Sequence, residues 1–283
     1  VLRPRQVARG VELFPARTPT LPPATHTNSY ALGEREILLV EPSTPYDDER
    51  RAWLEWARGI ASRGQRLVAL LITHHHVDHV GGAAFLAREL GLPIWAHEAT
   101  ASRLPELGIQ RHLADGEALR LEGVVGAEWT VLHTPGHAPG HVCLLNAEHR
   151  TLVVGDMVAT VGTILIEPGD GDMRAYLAQL TRLASLDARV VLPAHGHPID
   201  EPAAHFRHYV AHRLDRERKT LMALDHAGDE GAELEALMPM AYADTPRAVW
   251  PLARLSLLAH LEKLELDGLA LRKRERWVRS SRR

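Results

Sequence analysis

The segment Thr73–Gly82 reads Thr-His-His-His-Val-Asp-His-Val-Gly-Gly and follows the apolar run Leu67–Ile72. Imidazole and carboxylate groups bunched at the end of a buried strand carry a large desolvation cost unless something pairs them. A metal ion is the partner that uses all of them. Residues two apart in an extended segment point the same way, so His74 and His76 can reach one ion, while Asp78 and His79, after the turn, reach a second. Gly81-Gly82 is expected to let the chain turn sharply into a helix over Ala83–Leu90. His75, between two ligands, should point away.

Other apolar runs end in the same manner. Trp129–Leu132 leads into His133-Thr-Pro-Gly-His137-Ala-Pro-Gly-His141, a loop punctuated by two Pro-Gly pairs, each followed by a histidine. Thr151–Val154 ends in Gly155-Asp156, and Val190–Pro193 runs into Ala194-His195-Gly196-His197. His137, Asp156 and His195 complete the candidate ligand set. His141 suits a residue supporting a ligand or the loop, and His197 one that orients the His195 loop, with substrate contact as the alternative for each. Cys143, between Val142 and Leu144, reads as core.

These residues need strands to carry them. Val7–Phe14 reads as a strand before a Pro-rich loop, Pro15–Pro23; Asn28–Leu32 and Ile37–Val40 read as a hairpin. Helical spacing covers Asp47–Gly59 and Met173–Leu186, and Val142–Leu145 with Thr151–Val154 reads as a second hairpin. From about Pro202 the character changes to a long charged helix over His205–Ala227, a shorter one over Glu233–Met240 and a third, with leucines at Leu252, Leu255, Leu258 and Leu261, over Pro246–Leu266. A hairpin, Leu269–Leu271 with Arg276–Val278, ends the chain. The expected organisation is therefore a domain over 1–203 and a small helical, winged-helix-like domain over 204–283.

In order and spacing, with 58 residues from His79 to His137, 19 to Asp156 and 39 to His195, the set resembles the five motifs of the metallo-β-lactamase superfamily. That resemblance covers roughly residues 7–200. It implies an α/β fold, an αββα sandwich of two mixed sheets with helices outside, and a two-metal site at one edge. By residue it implies that His74, His76 and His137 hold one ion, that Asp78, His79 and His195 hold the other, and that Asp156 bridges. Zinc suits these nitrogen and carboxylate donors best, with manganese or iron as alternatives. Two ions about 3.5 to 4 Å apart lower the pKa of a bridging water to near neutral and supply hydroxide for hydrolysis. Asp78 would orient that hydroxide as well as bind metal, which makes it the candidate catalytic residue. Where many members have an aspartate at the end of the second strand, this chain has Glu41.

β-Lactamases of the commonest type lack a histidine at the position of His79 and carry cysteine at that of Asp156, so the thioesterase, lactonase and nuclease branches fit better. The C-terminal segment, with His212–Glu217 and the leucine helix ending in Asp267-Gly268, resembles the winged-helix tail of the β-lactamase-like protein two branch, endoribonucleases of single-stranded RNA. The implied reaction is phosphodiester hydrolysis of RNA. A glyoxalase II-like thioesterase or a lactonase with the same metal site is the alternative. The tail Arg272–Arg283, basic with one tryptophan, could contact phosphates and stack a base; a solvated terminal wing explains the same run.

Composition bounds the partners. Net charge is −3, so any nucleic-acid binding must come from a local patch such as this tail. With 45% hydrophobic and 24% charged residues the chain can bury a core. No run of about eighteen apolar residues and no signal peptide are apparent, and a single cysteine precludes an internal disulfide. These features lead to the expectation of a cytoplasmic enzyme with no membrane partner and an open oligomeric state.

Overall fold

A computed structural model describes residues 4–123 and 127–280. They form two compact units. The first comprises the chain through Thr134, with Pro139–Ile164 and Ser185–Ala203; the second comprises Pro135–Ala138, Leu165–Ala184 and the chain from Ala204.

In the first unit, seven strands lie in sequence order: β1 (Arg5–Ala8), β2 (Val11–Arg17), β3 (His26–Gly33), β4 (Glu36–Val40), β5 (Arg66–Leu71), β6 (Ile94–His97) and β7 (Arg111–Leu113). β1 to β4 pair antiparallel, and β4 to β7 pair parallel. The expected single strand over Val7–Phe14 is two strands, because Gly10 takes a left-handed turn (φ 64°) between β1 and β2. β2 then runs through Pro15, expected in a loop, which pairs in register with Asn28. Helices α1 (Asp47–Ser62), α2 (Val77–Val80), α3 (Ala83–Leu90) and α4 (Glu98–Ala101) sit in the connections. A second sheet of five strands has the order β12-β11-β10-β9-β8, with β8 (Ala118–Arg120), β9 (Glu128–His133), β10 (Val142–Asn146), β11 (Thr151–Gly155) and β12 (Val190–Pro193). Only β11 and β12 are parallel there.

Strand alternation explains how one sheet serves two interiors. Leu38, Val40, Ala69 and Leu71 face Trp129, Val131, Leu144, Val153 and Leu192 of the five-stranded sheet. The alternate residues Ile37, Leu39, Leu70 and Ile72 face Trp53, Trp56, Ile60 and Leu86 of α1 and α3. Both faces of β4 and β5 are thus buried, as their unbroken apolar sequences require. Backbone hydrogen bonds join the sheets where the ligand-bearing loops emerge, from Asn28 N–H to Ala194 O (2.7 Å) and from Val142 N–H to Thr73 O (3.0 Å).

The second unit contains α5 (Met173–Ala184), α6 (Pro202–Ala227, from its third residue), α7 (Leu234–Ala241), α8 (Trp250–Leu266) and a hairpin, β13 (Ala270–Lys273) with β14 (Arg276–Arg279). Its core gathers Leu224, Leu237, Leu257, Leu261, Leu264 and Trp277. Trp277, expected as a possible base-stacking side chain, is 3% exposed and is therefore committed to that core. Arg276 donates to the carbonyls of Glu230 and Gly231, and Arg279 to that of Leu269. Lys273 and Arg274 remain exposed at the tip. The last residues of the basic tail, Ser281, Arg282 and Arg283, lie outside the described residues. No helix among the described residues is long and apolar enough to cross a membrane.

Trp53 is fully buried, and its indole N–H donates to Ser29 Oγ (2.8 Å), tying α1 to β3. Trp53→Ala should cost about 3 to 5 kcal/mol of stability, measured as a lowered midpoint in urea unfolding; a shift within experimental error would contradict the core assignment.

Candidate metal centre

Each candidate ligand in the first unit stands just beyond the C-terminal end of a strand or on the loop that follows it. β5 delivers Thr73 and His74, β11 delivers Asp156, and β12 delivers Ala194 and His195. His76 is still extended (ψ 147°), so His74 and His76 lie on one side of the chain, with His74 Nε2 and His76 Nδ1 3.1 Å apart. The chain then turns into the single helical turn α2, which carries Asp78 and His79. Gly81 and Gly82 have ordinary right-handed backbone angles, so conformational freedom is not what they contribute. Close approach is. A Cβ on Gly81 would lie 2.9 Å from Pro45, and one on Gly82 would lie 2.8 Å from Thr44 O.

Asp78, His79, Asp156 and His195 converge. His79 Nε2 lies 3.7 Å from Asp78 Oδ1 and 3.6 Å from Asp156 Oδ2, and His195 Nε2 lies 3.5 Å from Asp78 Oδ2 and 3.3 Å from Asp156 Oδ1. Asp78, His79 and His195 each bring a ligand atom within 4.8 Å of the other two, a spacing that one divalent ion can span. His79 Nε2 is buried without a hydrogen bond among the described residues, which a metal would satisfy.

The far nitrogens of both imidazoles each lie beside an oxygen, that of His195 at hydrogen-bond geometry and that of His79 at ion-pair distance. His195 Nδ1 lies 3.0 Å from the His26 carbonyl, and His79 Nδ1 lies 3.2 Å from Glu41 Oε1. A proton on Nδ1 directed at an oxygen leaves Nε2 as the ligating atom. Glu41 therefore provides the support that an aspartate gives elsewhere. It is 1% exposed and accepts from the Thr73 hydroxyl through its carboxylate and from Ser29 Oγ through its carbonyl. It does so in a left-handed conformation (φ 62°), which costs a non-glycine residue about 1 to 2 kcal/mol and is offset here by those bonds. The sequence signal for this role is a carboxylate closing an otherwise apolar strand.

His141 is not at the metal face. It is fully buried, accepts from Asp156 N–H at Nε2 (3.1 Å), and lies 2.8 Å from Thr134 Oγ1 at Nδ1. It holds the backbone that presents Asp156. Gly155 makes room for it: at φ 47°, an added Cβ would lie 2.5 Å from His141 Nε2. Cys143 is buried on β10 with Sγ 3.3 Å from Thr134 Oγ1. His197 is exposed, and its N–H donates to Thr160 Oγ1 (2.6 Å), closing the loop after His195. His137 belongs to the second unit's segment Pro135–Ala138, and its Nδ1 lies 2.9 Å from the Leu165 carbonyl. The ends of its loop are tied by Thr134 N–H to His141 O (2.8 Å).

Electrostatics follow from this crowding. Burial disfavours charge on His79, but the carboxylates of Asp78, Glu41 and Asp156 outweigh it and hold the pKa well above the usual histidine value. Burial likewise opposes the charge on His195, and Asp156 overcomes it. Against its own burial, Asp156 is held well below the ordinary carboxylate range by His195 and His79. Without metal, protons on the imidazoles balance the carboxylates.

The sequence profile of the metallo-beta-lactamase superfamily matches residues 22–195, and that of the beta-lactamase associated winged helix domain matches 234–277. The chain belongs to the metallo-beta-lactamase superfamily, as a hydrolase with a C-terminal winged helix domain. It is similar to beta-lactamase-like protein 2 homologs of Drosophila melanogaster, at 29% identity over 86% of this chain and 83% of the relative, and of Caenorhabditis elegans, at 30% over 86% and 80%. An atrochrysone carboxyl ACP thioesterase of Aspergillus chevalieri is 32% identical over 73% of this chain and 63% of its own length. Among solved structures, a metallo-beta-lactamase family protein of Thermus thermophilus superposes with a TM-score of 0.77 at 27% identity, covering 96% of this chain and 99% of that one.

Glu41→Gln should lower affinity for the ion at Asp78, His79 and His195 by about 10- to 100-fold, read by competition titration with a chromophoric chelator; wild-type affinity would remove Glu41 from the centre. A pH dependence follows from the raised imidazoles. Their ion pairs stabilise the metal-free fold fully below the ordinary histidine pKa of about 6.5 and lose that effect as pH rises through the elevated values. Metal must displace those protons, so affinity should keep climbing above that pH, with proton release seen by calorimetry in buffers of different ionisation enthalpy. A plateau already reached at about pH 6.5 would contradict this.

Proposed function

We propose that this hydrolase cleaves phosphodiester bonds of single-stranded RNA. In this reading His74, His76 and His137 would hold one divalent ion and Asp78, His79 and His195 a second, with Asp156 as a further ligand; zinc suits these donors. The observation that carries the RNA assignment is the winged helix domain on a superfamily hydrolase, with similarity to beta-lactamase-like protein 2 homologs extending over 86% of the chain. Exposed Lys273 and Arg274 at the tip of the β13–β14 hairpin offer charge to a phosphate backbone.

Bound ions would supply Lewis acidity and a nucleophile at neutral pH. The chain's own contribution is arrangement. Asp78 is the most accessible of the four convergent donors, its side chain 13% exposed against 10% for Asp156, 6% for His195 and none for His79. Its carboxylate is the group placed to orient the attacking water and take its proton. Asp156, held from behind by His141, and the two imidazoles, held by Glu41 and His26, keep their donors in place without rearrangement during the reaction.

Thioester hydrolysis is the second reading, favoured by the 32% identity to a fungal acyl carrier protein thioesterase. One assay separates them: a labelled single-stranded RNA and an acyl thioester, each offered to zinc- or manganese-loaded protein. The expected outcome is RNA cleavage abolished by chelator and reduced at least about 100-fold by Asp78→Ala. Brisk thioester turnover with no RNA cleavage would transfer the site to acyl chemistry.

A further inference from the structure

Beside the His195 loop the first unit contains a cavity of about 160 Å³, with Arg5, Pro23, His26, Asn28, Gly196 and His197 in its wall. It is continuous with the centre through two residues: the His26 carbonyl faces His195 Nδ1, and Gly196 directly follows that ligand. Among the described residues no carboxylate lines it, although the chain carries 36 acidic residues. Arg5 has no ion-pair partner among the described residues. Asn28 carries no charge, and its amide N–H groups donate to the carbonyls of Pro193 (2.8 Å) and Gly196 (3.1 Å), which ties that part of the wall in place. The position of Arg5 is also felt by Tyr30, whose hydroxyl donates to Pro193 O (2.7 Å): burial drives that phenol well up, and the arginine charge acts against it.

A half-buried guanidinium without a counter-ion, flanked by two imidazole rings and excluded from carboxylates, is a receptor for an anion with several oxygens. We propose that this cavity is a phosphate subsite, in which Arg5 is the principal donor and holds a phosphoryl group of the substrate one step from the bond being hydrolysed. The inference rests on the hydrolase reading of the neighbouring centre and narrows its substrate to one carrying a phosphate beside the reactive group. RNA meets that requirement with its adjacent phosphodiester, and an acyl carrier thioester meets it with the phosphate of its phosphopantetheine arm.

The test is binding to the full, metal-free chain, which does not depend on turnover. The probes are a uridine trinucleotide and 4′-phosphopantetheine, each beside its phosphate-free counterpart, uridine or pantetheine, measured by calorimetry. Arg5→Ala should weaken a phosphate-bearing probe roughly tenfold or more, and Arg5→Lys should recover part of that loss because it keeps the charge and loses the fork. Arg9→Ala, which removes a cation paired with Glu34 on the turn after β1, should leave binding within twofold. Should Arg5→Ala fail to fold, the wild type still decides, since phosphate binding must shift the imidazole resonances of His26 and His197.

Arg5-dependent binding of the trinucleotide assigns the phosphate to RNA; the same dependence for phosphopantetheine alone assigns it to an acyl carrier arm. Equal losses in Arg5→Ala and Arg9→Ala, or unmoved His26 and His197 resonances, would overturn the subsite. Absent hydrolysis with Arg5-dependent binding intact would instead count against the functional reading alone.

Discussion

Two carboxylates and two imidazoles, Asp78, Asp156, His79 and His195, meet with their donor atoms 3.3 to 3.7 Å apart in a nearly closed space. Burying such a set is costly unless charge is balanced within it. Protons on the histidines balance it in one state and a divalent ion in the other. The surrounding architecture can be understood as what is needed to keep these four side chains together when each alone would be better solvated in water. The parallel strands β4 and β5, and β11 and β12, release their chains at the same end, so residues distant in sequence arrive together without long loops.

Support for the donors is built from buried groups packed behind them. His195 is oriented by a backbone carbonyl, and Asp156 is presented by a backbone N–H bonded to buried His141. His79 is oriented by Glu41, which occupies an unfavourable backbone conformation to reach it. Small residues at the crossings serve the same end. Gly81, Gly82 and Gly155 stand where any side chain would collide with Pro45, Thr44 or His141.

The C-terminal unit organises its charges differently. Trp277, Arg276 and Arg279 of the basic terminal stretch are consumed in holding the hairpin to its own unit. Among the described residues, what remains for a partner is the charge at the β13–β14 tip. A basic run in a sequence thus overstates the cationic surface available, because a guanidinium satisfies backbone carbonyls as readily as phosphates.

Local sequence determined the ligand loops: an apolar strand that ends in histidine or aspartate has few physical explanations, and the intervals between such ends matched a known family. It also determined the periodicities that separate strand from helix, including the three C-terminal helices and the hairpin. Tertiary structure decided what each polar residue faces. His141 and His197 both occur in histidine-bearing loops, yet one is sealed beneath Asp156 and the other lines an exposed cavity. Glu41 gives no local sign of its partner, since His79 lies on a different element. Pro15 continues a strand because Asn28 lies opposite it, and Arg5 acquires a cavity only when the His195 loop folds beside it. Spacing along the chain encodes direction and period, whereas the identity of a neighbour across a sheet or loop depends on packing that no single segment contains.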